Sequence, residues 1–309
     1  MSVWIVKAVI QKVISFLPRS QKINYLFQKY VTKGVYLTDD YFIDRLLHAQ
    51  NHVSYFSKYT KTNDSFNVLE LGTGWYPVIP IYMFLSGASK IYSVDINNLV
   101  SEKNLKQTIA KYCQFYKSGE LNKYMKEIDE DRLNVLFNCY NKQNEVNREQ
   151  LLNQLNINFI VGDARQLPLT SSSIDLITSN NTFEHIYPKI LISILKEFNR
   201  VLKPGAIMSH FIDMSDHFAH LDKKISIYNF LKFSDKRWSL IDNTVQPQNR
   251  LRITQYREIY SKVGIKIVEE NNRDGDIEKL KEINIDKKLK NISDKELAVS
   301  HSLLISKKD

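Results

Sequence analysis

The sequence predicts an α/β fold built on a doubly wound, mostly parallel sheet, and three observations predict it. Short apolar runs alternate with helical stretches from residue 67 onward. The first run ends in a two-glycine turn, Gly72-Thr73-Gly74. The next two runs each end in an acid, Asp95 and Asp163. Strands separated by helices are joined by crossovers, which make neighbouring strands parallel and cover both faces of the sheet.

Residues 1–60 read as a helical extension or cap, and residues 61–309 as the main domain. At 100° per residue, Lys7, Gln11, Lys12, Ser15 and Arg19 gather on one side of a first helix that ends near Pro18. Val3, Ile5, Val6, Val9, Ile10, Val13, Phe16 and Leu17 fill the other side. No uncharged apolar run reaches the length of a membrane span, and no small-residue cleavage pattern follows the helix. Two roles remain for residues 1–20: an in-plane contact with an anionic membrane, or a helix docked on the core or over a cofactor. A second helix is expected from Thr38 to Tyr59, capped by Thr38 or Asp39.

Seven strands are expected: Asn67–Leu71, Ile91–Asp95, Asn158–Val161, Ile174–Ser179, Ala206–Ile212, Ile265–Glu269 and Val299–Ser306. Residues 102–156 exceed the single helix that normally joins two such strands, and their polar character suggests an exposed, inserted pair of helices. Residues 214–252 are aromatic and basic and follow the fifth strand, on the side where such folds meet an acceptor. A helix from Thr254 to Val263 stops at Gly264.

The 309 residues are 43% apolar and 25% charged, an ordinary globular composition. Forty-three Lys and Arg against 34 Asp and Glu give a net +9, which suits an anionic partner or a soluble surface. Cys113 and Cys139 have neither metal spacing nor a disulfide framework, so a reducing, cytoplasmic setting is expected, with peripheral membrane contact as the alternative.

Two glycines after the first strand permit close backbone approach to a ligand. The dinucleotide fingerprint would place a third glycine at position 77, where Pro77 stands, so the turn departs from a nicotinamide site. Asp95, about 20 residues beyond the turn, can accept both ribose hydroxyl protons. Asp163 beside Ala164 can meet an adenine amino group, so acids at successive strand ends outline one adenosine.

Glu70-Leu71-Gly72-Thr73-Gly74, Asp95, Gly162-Asp163-Ala164, Ile174-Asp175-Leu176-Ile177 and Phe198-Asn199-Arg200-Val201-Leu202-Lys203-Pro204-Gly205 resemble the successive motifs of class I S-adenosylmethionine-dependent methyltransferases, especially the type 11 group. The resemblance covers residues 67–212 apart from the insertion. It implies a Rossmann-like, seven-stranded sheet of order 3-2-1-4-5-7-6 with S-adenosylmethionine over the carboxyl ends of strands 1 to 4. It also implies a cofactor set of Glu70, Gly72, Gly74, Asp95, Ile96, Asp163, Ala164 and Asn180, with Asn180 near the transferable methyl. Glu184 and His185 have family counterparts that are usually structural.

Methyl transfer needs an acceptor lone pair in line with the methyl, and a general base when the acceptor is a hydroxyl. Ser179-Asn180-Asn181-Thr182-Phe183 lacks the Pro-Pro-aromatic turn of base-amino methyltransferases, and no cysteine follows that strand for attack on a pyrimidine. His217 and His220, three apart beside carboxylates, are the candidate base. A metal held by His217, His220 and Asp213 or Asp222 is a weaker reading, and hydrogen-bonded loop histidines are the plain one. Arg237, Trp238, Gln248, Asn249, Arg250 and Arg252 suggest a wall for a sugar or phosphate. The expected function is methylation of a hydroxyl or amino group on a small-molecule or glycan-type acceptor. An RNA modifier or nucleic-acid binder is the alternative, disfavoured by the lack of a basic run. A catalytically silent, cofactor-binding relative is the other.

Overall fold

Seven strands form one mixed sheet in the order β3-β2-β1-β4-β5-β7-β6, the order the motifs implied. The computed structural model describes residues 2–20, 23, 24, 27, 36–60 and 65–309. The strands are β1 Phe66–Leu71, β2 Ala88–Asp95, β3 Ile157–Val161, β4 Ile174–Asn180, β5 Leu202–Asp213, β6 Lys266–Arg273 and β7 His301–Lys307. Each overlaps the apolar run that predicted it. β1 pairs in parallel with β2 and β4, and β2 with β3, so Leu71 lies opposite Val94 and Asp95 opposite Val161. This register brings the glycine turn and both acids to the same end of three adjacent strands. β1 and β4 are buried along nearly their whole length, as strands covered on both faces must be.

The chain divides into two compact units. One comprises residues 37–180, 193–210 and 305–309, and the other residues 1–36, 181–192 and 211–304.

In the first unit, helix α2, Asp39–Tyr59, is capped by the Thr38 hydroxyl, which accepts from Tyr41 N. The helix was expected to belong to an extension ending near residue 60, yet it packs as an integral helix of the sheet unit. Phe42, Leu46 and Ala49 are fully buried, and Phe42 meets Tyr112 and Phe115 edge to face at 4.9 and 4.8 Å. Helix α3, Val78–Leu85, starts after Pro77 and is apolar all round, so every residue of it is buried.

The stretch 102–156 holds three helices, α4 Glu102–Lys117, α5 Glu130–Asn141 and α6 Arg148–Gln154, where an exposed pair was expected. Each turns an apolar stripe inward: Leu105, Ile109 and Tyr112; Leu133, Leu136 and Cys139; Leu151 and Leu152. The polar residues that suggested exposure occupy the opposite faces. Arg132 closes the carboxyl end of α3 by donating to the carbonyls of Phe84 and Ala88 at 3.0 and 2.6 Å.

In the second unit, helix α1, Val3–Ser15, docks with Trp4, Ala8, Gln11 and Ile14 buried. Trp4 packs 5.8 Å from Phe218 in a core with Phe230, Leu231 and Trp238. The face turned inward is therefore centred on the polar stripe, because Trp4 and Ala8 lie on that side. Lys12 Nζ donates to the Ser239 and Asp242 carbonyls at 3.0 and 2.6 Å, and Gln11 Nε2 to Gln246 Oε1 at 2.8 Å. Val3, Val6, Val9, Val13 and Phe16 point outward, between 41% and 79% exposed. The unit also contains α7, Pro188–Val201, in its first turn, with α8 Asp235–Ile241, α9 Ile253–Lys262, α10 Ile277–Lys281 and α11 Asp294–Ala298. α9 is followed by Gly264 at φ +70, the left-handed stop the sequence predicts. Among the described residues no helix is long and apolar enough to cross a membrane.

Candidate functional site

The turn after β1 is built by backbone conformations that favour glycine: φ is +80° at Gly72 and +70° at Gly74. Gly72 N donates to Val94 O at 2.8 Å, which ties the turn to β2. Gly74 N donates to Asp95 Oδ2 at 3.1 Å, and Asn97 N to Asp95 Oδ1 at 3.0 Å. Asp95 is thus aimed before any ligand arrives. Burial raises its carboxyl above the usual range, opposed by the donors from Asn97, Gly74 and Ile96.

Beneath the turn, Thr73 Oγ1 and Ser93 Oγ lie 2.6 Å apart, and Ser93 Oγ is 3.4 Å from Glu70 Oε2. Burial raises the Glu70 carboxyl to about 7 against the hydrogen bonds of Thr73 and Ser93, with nearby Asp95 adding to the rise. Glu70 is a buried floor under the turn. Ile96 is 67% exposed, and Val161, opposite Asp95 in register, is 51% exposed. Two apolar side chains left in solvent at the ends of adjacent strands suit a flat heterocycle, so these residues fit an adenosine beside Asp95.

Asp163 stands just beyond β3, where the sequence placed it, but its carboxylate is clasped by Arg165. The Arg165 N and Nε reach Oδ1 at 2.9 and 3.0 Å, and Nε reaches Oδ2 at 2.8 Å. Those donors hold the carboxyl below its usual range. Ala164 beside it is buried. Asn180 ends β4, buried, with its Oδ1 accepting from His52 Nε2 at 3.0 Å. The second ring nitrogen of His52 lies 2.6 Å from Ser209 Oγ. With Nε2 as donor, Nδ1 accepts the serine proton, and burial drives the imidazole down to about 4, so it is neutral at physiological pH.

Sequence reasoning missed the contribution of α2. Tyr41, Arg45 and His52 recur at helical spacing along one side of it, a signal that was available. Arg45 stacks over Tyr41 at 5.2 Å, and its charge lowers the Glu70 carboxyl against burial.

In the second unit the two candidate histidines occupy a single 3-10 turn, His217–His220. His217 Nε2 lies 3.3 Å and His220 Nε2 3.8 Å from Asp213 Oδ2. His301 Nε2 is 3.5 Å from Asp213 Oδ1, which also accepts from Ser215 N at 2.8 Å. Burial would raise the Asp213 carboxyl, but these imidazoles hold it well below the carboxylate range. His185 has its ring 5.0 Å from that of His217, and its Nδ1 donates to Pro247 O at 2.6 Å. Asp222 takes no part, because it binds Ser2 Oγ and Trp4 N at 2.5 and 3.2 Å.

Of the expected wall for a sugar or phosphate, Arg237 is exposed, while Trp238, Asn249, Arg250 and Arg252 are framework. Arg252 is fully buried and donates to the carbonyls of Met214, Leu297 and Val299. Arg250 spans the Phe230 and Phe233 carbonyls and Asp235. Trp238 Nε1 donates to Gln248 O at 3.0 Å, and Asn249 Nδ2 to Phe183 O and Ile186 O at 2.7 and 2.8 Å. A polar loop leaving a sheet must satisfy its carbonyls, and these donors do so. Glu184 is buried, and its backbone carbonyl accepts from Asn249 N at 2.8 Å.

Residues 118–209 match the family model described as a methyltransferase domain, of type 11. This match agrees with the S-adenosylmethionine-dependent methyltransferase motifs read in the sequence. The match takes in Asp163, Asn180 and the β4-to-β5 motifs, while the glycine turn and Asp95 precede it. No curated protein matches significantly. Three solved structures are similar. One is a SAM-dependent methyltransferase from Methanosarcina mazei, 15% identical over 82% of this chain and 96% of that one, TM-score 0.44. Another is a protein from Pyrococcus horikoshii, 16% identical over 88% and 93%, TM-score 0.45. The third is phosphoethanolamine N-methyltransferase 2 from Haemonchus contortus with S-adenosyl-L-methionine, 14% identical over 84% of this chain and 52% of that one, TM-score 0.45.

Proposed function

We propose that this methyltransferase carries the methyl of S-adenosylmethionine to a hydroxyl or amino group of a small-molecule or glycan-type acceptor. The observation that carries the reading is Asp95, held by Gly74 N and Asn97 N at the end of β2 and flanked by exposed Ile96 and Val161. In this reading Asp95 holds the ribose and Gly72 and Gly74 line the ribose and methionine. Ile96 and Val161 support the adenine, with Asp163 and Ala164 at its edge, Glu70 braces the turn, and Asn180 lies near the methyl. When bound, the cofactor supplies an electrophilic methyl group. The protein then has to align an acceptor and exclude water. For a hydroxyl acceptor a proton must also be removed, and His217 or His220, oriented by Asp213, is the proposed base.

Against the nucleic-acid alternative, three of the eleven arginines, Arg132, Arg250 and Arg252, are committed to carbonyl groups inside the protein. The test is calorimetry with S-adenosylhomocysteine, followed by mass spectrometry of acceptor pools incubated with labelled S-adenosylmethionine. Binding of NAD without S-adenosylhomocysteine would overturn the reading. Cofactor binding with no labelled product in any pool would favour the silent relative.

A second reading concerns residues 1–20, favoured by the outward stripe of Val3, Val6, Val9, Val13 and Phe16 on α1. In the same unit α8 exposes Leu240 beside Lys236 and Arg237. We propose that this apolar stripe lies in the headgroup plane of an anionic membrane, with the two basic side chains toward lipid phosphates. Sedimentation with anionic and with neutral vesicles tests it. Protein that stays in the supernatant with both would sink the membrane role.

A further inference from the structure

Two imidazoles and one carboxylate converge at Asp213 in a way that a single proton-accepting histidine does not require. Residues i and i+3 eclipse on a 3-10 turn, so His217 and His220 present their rings on the same side. The Nε2 atoms of both lie within 3.8 Å of one oxygen, Asp213 Oδ2. Among the described residues His217 Nε2 is buried and forms no well-aligned hydrogen bond, and it lies 3.3 Å from Asp213 Oδ2. Two ring nitrogens and a carboxylate oxygen turned to one point are held there by positive charge, carried by a proton or by a cation.

We infer that Asp213, His217 and His220 form a binding site for a first-row divalent cation of the zinc type. Their donor atoms all lie within 4.8 Å of one another. Tetrahedral bonds of about 2.0–2.1 Å put donor atoms roughly 3.4 Å apart, close to the 3.3 and 3.8 Å separations found here. Two imidazoles and a carboxylate suit a borderline cation better than magnesium or calcium, which prefer all-oxygen shells. The outer support is also present. Ser215 N and His301 Nε2 hold Asp213 Oδ1 from behind and so aim Oδ2 at the histidines. His185 adds a further donor beside His217, its tautomer fixed by the bond from Nδ1 to Pro247 O. His220 is 60% exposed, which leaves an entry path and an open fourth position.

A cation and a proton are rivals for these lone pairs. A cation held by Asp213, His217 and His220 would take the imidazoles as ligands and would ease proton loss from an oxygen at its remaining position. The inference does not depend on the methyl-donor site, which lies on other residues.

The experiment uses the full-length chain free of any affinity tag, stripped with a chelator and titrated with Co²⁺ and then Zn²⁺. One equivalent of Co²⁺ should give the intense visible absorption of a tetrahedral site, and Zn²⁺ should abolish it. His220→Ala and Asp213→Asn should weaken Co²⁺ binding more than about a hundredfold, beyond the range for outer-shell changes, and His301→Gln about tenfold. His220 is exposed enough that its variant tests the site without a folding defect, and circular dichroism checks Asp213→Asn. Absence of the cobalt absorption, or the same absorption and affinity in His220→Ala, overturns the site. S-adenosylhomocysteine binding measured alongside separates this failure from a failure of the methyltransferase reading.

Discussion

Replacing Asp95 by Asn isolates the carboxylate on which the cofactor site rests. A carboxylate offers about four acceptor positions. Gly74 N and Asn97 N take one on each oxygen and Ile96 N also donates to the carboxylate, so about one position is left for a ribose hydroxyl. Asn keeps one oxygen and turns the other into a donor, which faces either Gly74 N or a hydroxyl proton. Losing one hydrogen bond to a charged acceptor costs about 1.5–3 kcal/mol, which is roughly a 10- to 150-fold rise in Kd. The fold itself should tolerate the change, because burial already penalises the ionised form of Asp95. Isothermal titration with S-adenosylhomocysteine reads the affinity, and a melting curve without ligand reads the fold. A folded Asp95→Asn variant that binds within about threefold of the parent would refute the assignment of Asp95 to the ribose.

Glu70→Gln should change how stability depends on pH. Burial raises the native carboxyl from 4.5 to about 7, so its stabilising contribution is full below about 4.5 and is lost as pH rises to 7. Between pH 5 and 8 the parent should therefore lose about 3 kcal/mol relative to Glu70→Gln, and parallel melting-temperature curves for the two proteins would contradict this. His52→Ala should cost about 2–4 kcal/mol in urea unfolding, because Ser209 and Asn180 lose a buried partner. The native imidazole sits at about 4 against 6.5 when unfolded, so its contribution is present above pH 6.5 and lost on acidification through 4; a variant with the parent's acid midpoint would speak against it. Val9→Ser with Val13→Ser should leave the melting temperature within about 1 °C, both side chains being exposed, while reducing vesicle sedimentation; a large drop in melting temperature would mean that this face is packed.

The strands were legible because each is a short apolar run closed by a turn or an acid, and burial on both faces leaves little room for polar residues. The glycine turn and Asp95 were legible because conformation and charge at strand ends constrain residue type. The helices of residues 102–156 were misjudged because their apolar stripes are narrow and interleaved with Lys, Asn and Glu, so composition masked the pattern. For α1 the periodicity is plain in the sequence, but the docked side is not: Trp4 and Ala8 lie on the polar stripe and are buried, while the valines face outward. The roles of Arg45 and His52 depend on Glu70, Asn180 and Ser209, and no local pattern connects residues so far apart. The same holds for His185, which reaches His217, and for His301, which reaches Asp213, from distant positions. Arg250 and Arg252 looked like a ligand wall because sequence does not distinguish an arginine that meets solvent from one that closes carbonyl groups.

The docking of α1 has a consequence in time. Its partners lie far along the chain: Trp4 waits for Asp222, Lys12 for Asp242 and Gln11 for Gln246, separations of 218, 230 and 235 residues. At about 5–20 residues per second, a ribosome needs roughly 10–50 s to supply them. For that interval the helix leaves the exit tunnel with its tryptophan uncovered as well as its valines. Whatever first shields it during synthesis, a chaperone or a nearby bilayer, meets a stickier surface than the finished protein displays.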